Sequence, residues 1–127
     1  MKHKITITAV LCIAIFIAAC GGNDSGEPAT GEEIYDTRYM RAGGVKCSEC
    51  HTLEEQGAGQ IVSLASLSEQ AAERVEGMSA EAYVRQSILD PNAHLIDGSS
   101  RSAMPANYGE ILSDEEIDNL VAFLLQE

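Results

Sequence analysis

The chain carries four cysteines, and two of them stand three positions apart in Cys47-Ser48-Glu49-Cys50-His51. No other feature limits its fold so tightly. C-x-x-C-H is the spacing at which a c-type haem is attached. Each thiol adds across one of the porphyrin's two vinyl groups and becomes a thioether. Two intervening residues set both sulfurs along one edge of the ring. The residue that follows, His51, then lies under the iron and supplies its proximal nitrogen.

Other chemistries compete for the same residues. A Cys47–Cys50 redox pair of the thioredoxin kind wants a preceding strand and a surrounding sheet, and no segment here carries a strand pattern. Zinc needs four ligands, and only three cluster. The one further histidine beyond the N-terminal segment is His94. A structural disulfide closing so short a loop would add little stability.

The other two cysteines have separate explanations. Lys2, His3 and Lys4 form a basic start, and Ile5 to Ala19 is uncharged and mostly apolar. That stretch is shorter than the roughly 20 residues of a membrane span and suits the core of a signal peptide. It contains Cys12 and ends Ile17-Ala18-Ala19-Cys20. Small residues before a cysteine resemble a bacterial lipobox. The resemblance implies removal of residues 1–19 and lipid attachment at Cys20. The simpler reading is an ordinary secretory signal that leaves Cys20 as a free thiol. Residues 21–30, GGNDSGEPAT, are small and polar and read as part of a flexible tether from the lipidated Cys20 (residues 20–30). Ten such residues reach about 33 Å at most. Residues 31–127 are then the working domain, extracytoplasmic and close to a membrane.

At 127 residues, 45% apolar and 22% charged, the chain has room for one small domain. Aromatics make up 5% and Trp is absent, so the side chains alone make a thin core that a haem would fill. Twenty acids against eight Lys and Arg give a net charge of −12, which excludes a nucleic-acid binder. The acids are spread along the chain. They read either as a solvated surface or as a field steering the domain toward a basic docking patch.

A haem iron with one protein ligand keeps an open site, whereas Met opposite His closes it and raises its potential. The candidates are Met40, Met78, Met104 and His94. Met40 is too near the cysteines to reach round the ring easily, and Met78 falls at the start of a helix. Met104 lies in a loop rich in Gly, Ser, Asn and Pro, running from Gly98 to Gly109. A haem face would give its thioether somewhere to go, and Pro105 stiffens the loop. The alternatives are a five-coordinate iron or one bound by His94. Ala103 and Pro105 are candidates for the haem rim. Arg101 and Tyr108 are candidates for a propionate, or else a solvated Arg and a core Tyr.

Three helices are legible. Thr30-Gly31-Glu32-Glu33 is a capping box that predicts a helix to about Arg41, with Tyr35, Tyr39 and Ala42 on one face and Gly43-Gly44 ending it. Ser79 caps a second helix, to about Leu89, with Ala80, Tyr83, Val84, Ser87 and Ile88 as its buried stripe and Pro91 beyond its end. Ser113-Asp114-Glu115-Glu116 opens a third, to about Gln126, buried through Ile117, Leu120, Val121 and Leu124. A shorter helix spans about Ser68 to Glu76.

In this order the elements resemble a class I monohaem cytochrome c, over about Gly31 to Glu127. Tyr83 to Asn92, and Met104-Pro105 through Leu124, are similar to cytochrome c domains of bacterial respiratory complexes. These include the domain fused to subunit II of some terminal oxidases and lipid-anchored haem subunits of alternative complex III. The resemblance implies an all-α fold of three to four helices around one covalent haem c. It implies thioethers at Cys47 and Cys50, with His51 and Met104 as axial ligands. The first and last helices would cross, with Gly31 and Tyr35 meeting Phe123. The implied function is one-electron transfer in a respiratory or photosynthetic chain, as a mobile carrier or a complex subunit and not as an enzyme. The implied partners are the membrane, through the lipid, and redox proteins such as a quinol-oxidising complex, a terminal oxidase or a reaction centre. An open-site peroxidase or gas sensor is the competing reading. One departure stands out. The family usually has Gly-Pro after the haem site, with a carbonyl that accepts the proximal histidine's Nδ1–H. Here the segment reads Ile61-Val62-Ser63 and leaves that role to Ile61 or Val62.

Overall fold

The computed structural model describes residues 27–56, 61–95 and 102–126. The signal segment, Cys20, most of the tether and Arg101 lie outside the described residues.

The first helix, α1 (Gly31–Asp36), opens on the expected capping box. Glu33 N–H donates to Thr30 Oγ1 at 3.3 Å, and the Glu33 carboxylate accepts the Thr30 N–H at 2.9 Å. The helix is shorter than expected and does not reach Arg41. Thr37 Oγ1 donates back to the Glu33 carbonyl at 2.6 Å, and Thr37 itself is extended. Such back-bonding by a β-branched residue competes with helix continuation. The chain then pairs Tyr39 with Val45 in an antiparallel bridge around a 3₁₀ turn, Met40–Ala42. Gly43 turns it at φ +83°, where a side chain would be strained. Tyr35 and Ala42 are buried in one core and Tyr39 packs against it, although they do not share one helix.

Beyond the cysteine segment, α2 (Leu67–Arg74) buries Ala71, and α3 (Ala80–Leu89) buries Tyr83, Val84 and Ile88. Ser79 Oγ caps α3 by accepting the Ala82 N–H at 3.1 Å. The last helix, α4 (Asp114–Leu124), has its full capping box and buries the expected Ile117, Leu120, Val121 and Leu124. An Arg85–Asp118 ion pair links α3 to α4.

The crossing of α1 and α4 organises the domain. A Cβ added to Gly31 would lie 2.3 Å from both the Asn119 carbonyl oxygen and Phe123 Cβ, so only glycine lets the backbones approach this closely. Tyr35 meets Phe123 with ring centroids 5.8 Å apart. Asn119 Nδ2 donates to the Ala29 carbonyl at 3.0 Å, and Ile34, Ile117 and Val121 are fully buried between the helices.

The structure adds one element without a sequence signal. Strands β1 (His51–Thr52) and β2 (Val62–Ser63) pair in parallel, His51 opposite Val62 and Thr52 opposite Ser63. Two residues are too few to show the alternation by which strands are recognised. Among the described residues the remainder is helices, 3₁₀ turns and loops.

Candidate functional site

The two cysteines straddle a tight 3₁₀ turn, Cys47–Glu49, closed when Cys50 N–H donates to the Cys47 carbonyl at 3.1 Å. Its flanks are pinned to α1. Ser48 Oγ donates to Asp36 Oδ1 at 2.7 Å, and Lys46 Nζ reaches the same oxygen at 3.1 Å. Arg38 binds the Glu49 carboxylate and the Gly44 carbonyl. Both thiols are free, Cys47 half-buried and Cys50 exposed. Burial pushes the Cys47 thiol up.

His51 follows directly in β1. Its Nδ1 is buried and makes no complete hydrogen bond, the single such side-chain atom among the described residues. The Val62 carbonyl acts on the ring from the paired strand. Burial therefore holds the imidazole below its ordinary pKa, and the Val62 carbonyl only partly offsets it. Of Ile61 and Val62, it is Val62 that faces the histidine. Two unbridged thiols around one turn, and a buried imidazole still short of a partner, suit a covalently held haem. Zinc is poorly served, since among the described residues no three His, Cys, Asp or Glu side chains converge on one point.

The loop with Met104 is fixed on both sides. Ser102 N–H donates to Asn92 Oδ1 at 2.9 Å, and Met104 N–H donates to Ser102 Oγ at 3.1 Å. Asn107 Nδ2 donates to the Arg41 carbonyl at 2.8 Å, and an Arg41 guanidinium N–H donates to the Glu110 carbonyl at 3.1 Å. Tyr108, 4% exposed, stands edge-on to Tyr39 with centroids 6.3 Å apart. Burial pushes its phenol up to about 12.

A family model for cytochrome c matches residues 28–127. The chain belongs to the cytochrome c family. Neither the curated proteins nor the solved structures yield a match. As a cytochrome c of class I fold, it binds haem c covalently through Cys47 and Cys50 and serves haem-based electron transfer.

Within this cytochrome c the candidates for the sixth ligand sort by environment. Met104 is half-buried and packs against the core. Met40 is 79% exposed, its sulfur beside Gly44. Met78 packs on the core next to the start of α3. His94 stacks on Tyr83 at 5.9 Å, and its Nε2 is 3.0 Å from Gln86 Oε1. Ala103 is exposed and Pro105 half-buried, and Tyr108 is a core residue. Three contributors were not legible as such: the Tyr35 hydroxyl, Asn92 and Asn107. A tyrosine at a core position is a usable signal, because a buried phenol needs a partner. The two asparagines carry no comparable signal, since both stand in polar segments outside the helices.

Proposed function

We propose that this cytochrome c carries single electrons on the extracytoplasmic side of a membrane, with His51 and Met104 as its axial ligands and lipid on Cys20 as its anchor. The reading rests chiefly on Met104. Its thioether packs inward from a loop tied to Asn92 and Arg41, while Met40 is exposed and His94 is already engaged. Haem c, when bound, supplies the Fe(III)/Fe(II) couple.

The chain's own residues do the rest. Cys47 and Cys50 hold one edge of the ring. His51 and Met104 would hold the iron, and a thioether ligand would favour the reduced state. The excess of acids steers the domain toward basic patches on redox partners, in a salt-sensitive way that mainly speeds encounter. A lipid leash raises the effective concentration at such partners. Among the described residues no helix is long and apolar enough to cross a membrane.

The anchor is tested by the intact mass of the mature protein and by fractionation of a Cys20→Ser variant. A mature chain beginning at lipidated Cys20, and release of the variant from the membrane, are expected. A mature chain with an unmodified Cys20 would overturn the anchor. Co-purification of partner subunits after mild detergent extraction separates a fixed subunit from a mobile carrier.

A further inference from the structure

Tyr35 sits in the core on α1. It is 7% exposed and packs its ring on Phe123. Its hydroxyl donates to the backbone carbonyl of His51 at 2.9 Å. The carbonyls on either side of His51 are taken from the opposite edge. Cys50 accepts the Val62 N–H at 2.9 Å, and Thr52 accepts the Leu64 N–H at 2.8 Å. Successive carbonyls of a strand point to opposite edges, so that of His51 faces away from β2 and toward α1. There Tyr35 takes the place a third strand would have. The His51 ring meets the Val62 carbonyl of β2 without a complete hydrogen bond at Nδ1. Its direction therefore depends on the backbone that carries it.

We infer that Tyr35 is a positioning residue. Its hydroxyl fixes the His51 peptide from the α1 side, so that α1 and β2 together aim the imidazole at the iron. The inference rests on His51 being the proximal ligand. It predicts that Tyr35→Phe, which keeps the ring and its contact with Phe123, changes the site without loosening the α1–α4 crossing.

The test uses the haem-loaded protein with two readouts. The first is amide hydrogen exchange at Val62 and Leu64, compared with Val121 and Leu124 in α4. Losing one hydrogen bond to a part-buried carbonyl is expected to speed exchange at Val62 and Leu64 by about two- to tenfold, with α4 unchanged. The second is the midpoint potential, which is expected to move because the iron–imidazole bond is one of its levers. Equal acceleration in α4 would make Tyr35 a packing residue and overturn the inference. So would unchanged exchange at Val62 and Leu64, or an unchanged potential. A His51→Gly variant checks the underlying ligand separately, since it should keep the covalent haem and lose the low-spin spectrum. If it does so while Tyr35→Phe is silent, only the role of Tyr35 fails.

Discussion

The carboxamide oxygen of Asn92 accepts the Ser102 backbone N–H at 2.9 Å. This joins the end of α3 to the loop that carries Met104. Ser102 passes the constraint on by accepting the Met104 N–H through its Oγ at 3.1 Å, and Asn92 N–H is itself held by Asp90 Oδ1 at 3.3 Å. Pro91 stands between Asp90 and Asn92, where the helix can no longer continue. These bonds restrain the backbone that carries the Met104 side chain.

Asn92→Ala should therefore loosen the sixth ligand without removing it. The haem-loaded wild type is expected to resist carbon monoxide when reduced and imidazole when oxidised. The variant should bind either about two- to tenfold more readily, the worth of one lost hydrogen bond. Spectroscopic titration measures this, and an unchanged affinity would mean that Asn92 does not restrain Met104.

Gly31→Ala tests the α1–α4 crossing. The new methyl would lie 2.3 Å from both Phe123 Cβ and the Asn119 carbonyl, so the helices must part. Overpacking of this kind costs about 1–3 kcal/mol. Guanidinium unfolding of the haem-loaded protein should show a lower midpoint, while the spectrum of the folded form stays unchanged.

Acid should loosen the N-terminal clasp. The Ser48 hydroxyl, and then Lys46, hold Asp36 below its ordinary 3.8, and the Thr30 N–H and hydroxyl hold Glu33 below its ordinary 4.5. A carboxylate whose pKa is lowered by folding stabilises the native state at neutral pH. That contribution fades as pH falls from the ordinary value through the depressed one. Asp36→Asn removes one such group. Its stability deficit relative to wild type should be present at neutral pH and shrink as the pH falls below the ordinary 3.8. Urea unfolding at several pH values reads this directly, and a deficit independent of pH would contradict it.

Much of this was legible from local chemistry. The capping boxes at Thr30 and Ser113 and the serine at 79 start helices where expected, because each is a self-contained set of hydrogen bonds. The apolar stripe of α4 points inward as its spacing requires. The C-x-x-C-H motif carries its cofactor because thioether spacing is a property of five consecutive residues. What could not be read is what distant segments do to each other. The α1 capping box says nothing of Thr37, whose hydroxyl folds back on Glu33 and ends the helix at Asp36. The pairing of His51 with Val62 joins two-residue strands that carry no pattern of their own. The Tyr35 hydroxyl could be expected to need a partner, but only the packed α1 shows that the partner is the His51 carbonyl.

The most direct measurement is the pair of oxidised spectra of the haem-loaded wild type and Met104→Ala, with their midpoint potentials. Ligation by His51 and Met104 predicts a weak far-red thioether-to-iron band in the wild type. In the variant that band is lost and the potential falls. A wild type without the band, or a variant that keeps it, would contradict Met104 as the sixth ligand and leave the iron open to substrates or gases.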